Sequence, residues 1–254
     1  MASEFQGPRT AIVTGGARRI GRELCRALAE DGWYVVIHCG RSIAEAEALA
    51  AELGQARAVS ADLADPAAAA TVFAALEGLP PAKLLVNNAS RFAYDSADDF
   101  DPAGWDAHLD VNLRAPALLS RAFAAQAGEG GLIVNLLDAK LAAPNPDFFS
   151  YTVSKMGLAG LTELLARAWA ERGIRVCGIA PSVTLVSGPQ TRENFETVRR
   201  LNALGRGVEV AEVVTALRFI IATPTLTGQT ITLDGGQRFL GLPRDVQFLE
   251  PDNG

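Results

Sequence analysis

Seven short apolar runs, spaced by stretches of helical character, set the limits on what this chain can fold into. They fall at residues 9–14, 33–39, 56–61, 84–86, 132–137, 173–180 and, with its turn, 227–236. The middle runs are nearly continuous rather than alternating, which suits strands buried on both faces. Helical stretches follow them: one from the glycine turn at 15–21 to about residue 31, then 43–53, one opening at Asp65-Pro66, then 105–126, 151–172 and 210–222, with a shorter one near 192–200. Strand alternating with helix predicts a parallel sheet covered by helices on both sides. No linker, composition shift or repeat with a period of about 20–50 residues divides the sequence. The expectation is therefore one α/β domain over residues 1–254: a doubly wound, three-layer structure with about seven strands. Two local expectations go with it. Pro116 should kink the 105–126 helix, and Asn112, a poor mid-helix residue, should have a polar task.

Hydrophobic residues make up 49%, enough for a sizeable core, and the net charge of −6 argues against a general nucleic-acid or anionic-membrane binder. Cys25, Cys39 and Cys177 have no metal-type spacing, and His38 and His108 form no paired motif, so no metal site is expected. No apolar run reaches the roughly 18 residues of a membrane span, and residues 1–9 lack the apolar stretch of a signal peptide. A soluble, cytoplasmic protein is expected.

Chemistry concentrates at strand ends. The first run enters Gly15-Gly16-Ala17-Arg18-Arg19-Ile20-Gly21 and then a helix. A strand, glycine-rich turn and helix offer bare backbone N–H groups to a phosphate. The second run ends His38-Cys39-Gly40-Arg41-Ser42, with a base and no acid where a dinucleotide fold meets the adenosine ribose. That favours a 2′-phosphate, hence NADPH over NADH. The fourth ends Asn87-Asn88-Ala89-Ser90, whose amides can bridge neighbouring strand ends. The fifth ends at Asp138, and after a Pro-containing loop Tyr151 and Lys155 stand four apart, on one helix face. A phenol has a pKa of about 10. A nearby ammonium favours its ionised form, which would let it pass a proton near neutral pH. Residues 182–204 read as a substrate loop after a strand end. The tail, 237–254, carries the apolar anchors Phe239, Leu240, Leu242, Phe248 and Leu249, which suit packing on its own subunit or a neighbour.

Taken together, Thr14-Gly15…Gly21, Asp62, Asn87-Asn88-Ala89, Asn112, Tyr151…Lys155, Ala180-Pro181 and Leu233-Asp234-Gly235-Gly236 resemble the short-chain dehydrogenase/reductase family, in order and spacing. The resemblance implies a Rossmann-type fold. It departs from the common pattern twice: Arg19 stands at the middle glycine of the loop, and Asp138 stands where the family usually has a catalytic Ser. Both departures are similar to the pteridine reductase subgroup, as are 38–42, Asn88-Ala89-Ser90-Arg91-Phe92 and Pro181-Ser182-Val183-Thr184-Leu185.

The resemblance implies these roles. Tyr151 is the proton donor or relay, Lys155 holds the nicotinamide ribose and lowers the Tyr pKa, Asn112 supports a water path to Lys155, and Asp138 faces the substrate. NADPH would be held by Gly15, Arg18, Arg19, Ile20, Arg41, Ser42, Asp62, Leu63, Asn88, Ala89, Ser90, Tyr151, Lys155, Pro181 and Ser182. A pterin-like substrate would meet Arg19, Phe92, Asp138, Tyr151 and Leu185, with Phe92 stacking its ring. Family members are commonly tetramers or dimers, so a homo-oligomer is implied.

Asp138 has its own physical reading. An ionised carboxylate cannot donate to a carbonyl oxygen, whereas it suits the N–H and amino groups of a nitrogen heterocycle. Whether it works ionised or neutral is open, because burial and Lys155 act on it in opposite directions. Three functions stay open: an NADPH-dependent pterin or dihydropterin reductase acting on a C=N bond, a carbonyl or 3-oxoacyl-carrier reductase of the same fold, and a non-catalytic NADPH-binding protein.

Overall fold

The computed structural model describes residues 5, 7–186 and 190–249. Part of the expected substrate loop, at 187–189, and the end of the tail, at 250–254, lie outside the described residues.

Seven parallel strands form one sheet: β1 (Thr10–Val13), β2 (Tyr34–Cys39), β3 (Ala56–Ser60), β4 (Ala82–Asn87), β5 (Gly131–Leu136), β6 (Ile174–Pro181) and β7 (Thr230–Leu233). Their order is β3-β2-β1-β4-β5-β6-β7. Every residue of β1, β5 and β6 is buried, as their unbroken apolar runs require. Helices α1 (Arg19–Glu30), α2 (Ile43–Leu53) and α8 (Val210–Ala222) contribute Leu24, Leu28, Leu49, Val213 and Ile220 to the core on one face. On the other face, α3 (Ala68–Ala74), α5 (Ala115–Ala127) and α6 (Phe149–Ala168) contribute Val72, Phe73, Leu119, Phe123 and Ala166. The remaining helices are α4 (Pro102–Leu109) and α7 (Arg192–Val198). This is the doubly wound three-layer arrangement. Its strand order reverses between β1 and β4, which opens a crevice beyond the C-terminal strand ends.

Three local expectations change. The 105–126 helix is interrupted not at Pro116 but at a π turn, Asp110–Arg114, that separates α4 from α5. Pro116 falls in the first turn of α5, where a missing N–H costs little. The interruption sits at Asn112, the residue whose helical propensity is poor. Asp65 caps a turn instead of α3 itself, taking the Ala67 N–H at 2.8 Å, and α3 begins at Ala68. Helix α6 starts at Phe149 and ends at Ala168, with a 3-10 turn at Ala170–Arg172 completing the span read from sequence.

Candidate active site

A cavity of about 720 Å³ runs along the C-terminal strand ends, and its wall collects most of the residues singled out in the sequence. At one end is the glycine turn. The Thr14 hydroxyl accepts from the N–H groups of Asn88 (2.9 Å) and Ala89 (3.0 Å), and Asn88 Nδ2 donates to Thr14 O (2.8 Å) and Gly15 O (3.2 Å). This is the amide bridge between strand ends expected of Asn87-Asn88. Gly21 packs so closely on the turn that a Cβ there would lie 2.2 Å from Gly15 O. No side chain caps α1, so its first-turn N–H groups and positive dipole end are open to an anion. Such a cradle fits a dinucleotide pyrophosphate.

Arg19 has a φ of 55°, the left-handed region, so it occupies a backbone state that a glycine would take freely. Its guanidinium crosses the cleft to Val186 O (2.8 Å) and ties the glycine turn to the substrate loop. Arg18 pairs instead with Glu45 in the first turn of α2. Gly15, Arg18, Arg19, Ile20, Asp62, Leu63, Asn88, Ala89 and Ser90 all line this half of the cavity. Arg41 and Ser42 do not, although Gly40 beside them does; they sit just outside, at the start of α2. His38 was not assigned a role from sequence, yet it lines the cavity too. Its Nδ1 accepts from Gly15 N–H (3.3 Å) and its Nε2 donates to Ala61 O (3.0 Å). Those two bonds need the neutral ring, and burial pushes its pKa down.

The β5 end and α6 build the reacting end. Tyr151 Oη donates to Asp138 Oδ2 (2.8 Å), and Asp138 Oδ1 accepts from Lys140 N–H (2.8 Å), so both carboxylate oxygens act as acceptors. Lys155 is 3% exposed and its Nζ donates to Leu136 O (2.7 Å). It also lies 5.7 Å from the Tyr151 ring centre. The spacing of four does place the pair on one face. Its electrostatic consequence differs from the sequence expectation. Burial, then the charge of Asp138 and its hydrogen bond, pushes the Tyr151 pKa well above the ordinary value. The phenol is therefore held protonated, by its burial first and then by the carboxylate at hydrogen-bond distance. Burial also lowers Lys155 to about 8, against a smaller upward pull from Asp138.

Asn112 is fully buried but does not line the cavity. Its Oδ1 accepts from Arg91 N–H (2.7 Å) and Ser90 Oγ (3.2 Å), and its Nδ2 donates to Arg91 O (2.9 Å) and Ser154 Oγ (3.0 Å). Its amide thus clamps the loop after β4 onto α6. The π turn is what brings that amide inward.

The far half of the cavity is aromatic. Phe92 is 42% exposed, stacks on Phe148 (4.3 Å, 19°) and meets Tyr151 edge-on (4.7 Å). One ring face is covered by Phe148, and Phe92 lines the cavity beside Tyr151. Pro181, Ser182 and Leu185 complete the wall near the substrate loop. Phe148 holds a φ of 52° immediately before α6, a strained state for an aromatic residue. The sequence did not mark Lys140, Asn145, Arg244, Asp245, Val246 or Gln247, which also line this half, with Leu242 from among the tail's apolar anchors. Of the tail's apolar anchors Phe248 packs on Phe148 and Tyr94 of its own chain, whereas Phe239 and Leu240 are exposed. Among the described residues no group of His, Cys, Asp and Glu side chains is arranged to hold a metal ion, and no helix is long and apolar enough to cross a membrane.

Comparison with known proteins agrees with this geometry. The "short chain dehydrogenase" family model matches residues 9–197. A crystal structure of FolM alternative dihydrofolate reductase 1 from Brucella canis, complexed with NADP, superposes with a TM-score of 0.87 at 38% identity, covering 98% of each chain. Pteridine reductase 1 of Leishmania tarentolae is 31% identical, over 89% of this chain and 95% of its own. The galactitol 2-dehydrogenase of Cereibacter sphaeroides is 35% identical, over 89% and 93%. From Thr14 at the head of the glycine turn to Lys155 on α6, the chain belongs to the short-chain dehydrogenase family.

Proposed function

We propose that this protein is an NADPH-dependent reductase of a pterin or dihydropterin, acting on a C=N bond. NADP is the cofactor, as in the Brucella canis structure, and the uncapped α1 with its glycine turn suits the pyrophosphate. Arg41 and Ser42, at the start of α2, are our candidates for the 2′-phosphate. When bound, NADPH supplies the hydride. Lys155, buried beside Leu136 O, would hold the nicotinamide ribose. Tyr151, protonated across the neutral range, gives its proton to the nitrogen of the reduced bond. Phe92, backed by Phe148, offers a face for a flat ring. The FolM and pteridine reductase relatives carry names that match this substrate class.

One observation carries the choice of substrate: Asp138 receives the Tyr151 hydroxyl, with both carboxylate oxygens accepting. A carbonyl oxygen needs a donor at that point, because negative charge develops on it during reduction. A carboxylate repels that charge and attracts ring N–H and amino groups instead. The test is NADPH oxidation with dihydrobiopterin, dihydromonapterin and dihydrofolate; turnover of none of them overturns the proposal. Asp138→Ser separates it from the carbonyl or 3-oxoacyl-carrier alternative. A pterin reductase should lose activity with that change, and a carbonyl reductase should gain it. A non-catalytic NADPH-binding protein would show tight cofactor binding and no rate to lose. We further propose that the chain works as one domain and assembles as a homo-oligomer. Met156 and Leu164 of α6 are exposed apolar residues suited to a partner helix. A light-scattering mass equal to one chain would refute the assembly.

A further inference from the structure

The tail contributes a charged group, Asp245, to the wall of the cavity. Asp147, 4% exposed, accepts from Arg244 Nε and from the Asp245 N–H, both at 2.7 Å. It directly precedes Phe148 and the helix that carries Tyr151 and Lys155. Val246 is buried, and Phe248 stacks on Phe148 (5.8 Å, 21°) and meets Tyr94 edge-on (5.1 Å). The Asp245 carboxylate caps the terminal 3-10 turn through Gln247 N–H (3.2 Å). These contacts fix the register of the tail against α6, and so fix where the Asp245 carboxylate stands on the cavity wall.

Its surroundings leave acceptor capacity to spare. Arg244 is engaged by Asp147. The Lys140 ammonium hydrogen-bonds to Asp147 O and lies 3.7 Å from Asp245 Oδ2, too far for a hydrogen bond. Burial raises the Asp245 pKa; Asp138 and Asp147 add to that and Lys140 opposes it. The charge of Asp245 also contributes to the raised pKa of Tyr151, which puts it within electrostatic reach of the reacting end. The same wall carries Asn145, whose buried side-chain oxygen has no hydrogen-bond partner. Asp138, Asp245 and Asn145 thus present acceptors to a space bounded by aromatic rings.

We propose that Asp245 is a specificity-determining residue: with Asp138 it accepts hydrogen bonds from exocyclic amino groups of the substrate, so that the site selects an amino-substituted nitrogen heterocycle over its oxo analogue. This rests on the reading of the site as one for a nitrogen heterocycle. An amino-substituted ring offers donors at adjacent positions, whereas an oxo group at the same position offers lone pairs, which a carboxylate repels. The competing role for Asp245 is structural, as cap of the last turn and counterion of Lys140.

Binding of 2,4-diaminopteridine and of its 2,4-dioxo analogue, lumazine, to the NADP-loaded protein separates the two. The wild type should bind the diamino compound more tightly. Asp245→Asn and Asp245→Ser both keep a side chain able to cap the turn. Each should weaken diaminopteridine binding by about tenfold or more, as loss of a charge-assisted hydrogen bond implies. Lumazine and NADP affinities should stay unchanged. Equal losses for both pteridines, no loss for either, or a wild type that binds neither would overturn the proposal. If both variants melt early, Asp245→Glu, which keeps the charge but moves it by one methylene, should weaken diaminopteridine binding and leave lumazine unchanged; no change for either then overturns it. A wild type that discriminates between the two pteridines but oxidises no NADPH with any dihydropterin would sink the proposed reaction and leave this assignment standing.

Discussion

The two halves of the cavity are built by different means. The proposed cofactor half rests on backbone, the glycine turn and the uncapped start of α1, braced by the Thr14 and Asn88 side chains within one turn of a strand end. The proposed substrate half is made of side chains: Phe92 backed by Phe148, Asp138, and Leu242 and Arg244 to Gln247 from the tail. Backbone geometry tolerates few substitutions and binds what the whole family binds. Side-chain geometry can change one residue at a time, and there lie the features on which the proposed substrate class rests. Relatives named for a sugar alcohol and for a pteridine, at similar identity to this chain, fit that division.

The division can be broken by experiment. Tyr151→Phe should reduce kcat by about 10³-fold, the middle of the range for a lost general acid. It should leave the NADPH Kd unchanged, and a weaker Kd would show that the halves are not separable. Lys155→Met should also abolish turnover, yet raise stability. With its pKa lowered from 10.5 to about 8, Lys155 binds a proton less readily folded than unfolded. Stability therefore rises with pH between about 8 and 10.5, and the full cost, about 3 kcal/mol, is present below pH 8. After the lost charge-assisted hydrogen bond to Leu136 O, worth roughly 2 kcal/mol, denaturant unfolding at pH 7 should show a gain of about 1 kcal/mol that fades above pH 8. Gly21→Ala places a Cβ against Gly15 O and should weaken NADPH at least about tenfold while leaving diaminopteridine selectivity intact. Arg41→Ala should have the smallest effect, lowering the NADPH-over-NADH preference by roughly tenfold, as read from the ratio of kcat/KM values.

Much of the cofactor half was legible because its determinants are local. A buried strand is an unbroken apolar run, and a glycine turn is contiguous in sequence. The Tyr151–Lys155 face follows from helical period alone. Asp138 was also visible, being next to a strand end, but the consequence of its contact with Tyr151 was not. The spacing of four revealed the ammonium, while the burial of the phenol and the 2.8 Å bond depend on how β5 and α6 pack. Asn112 announced itself as an unsuitable helix residue, and the structure answers with a π turn instead of a kink at Pro116. Phe148 gave no signal, since nothing in its neighbours requires a left-handed backbone at that point. The tail was legible only as sticky. Its partner, Asp147, lies 97 residues from Arg244, and no periodicity connects them.

That last contact has a practical side. Leu242 and Arg244 to Gln247 line the cavity, so a fusion partner or a proteolytic cut that displaces them would reshape its wall. Under the proposed reading, a protein handled that way would bind NADP normally while misreporting its own substrate preference.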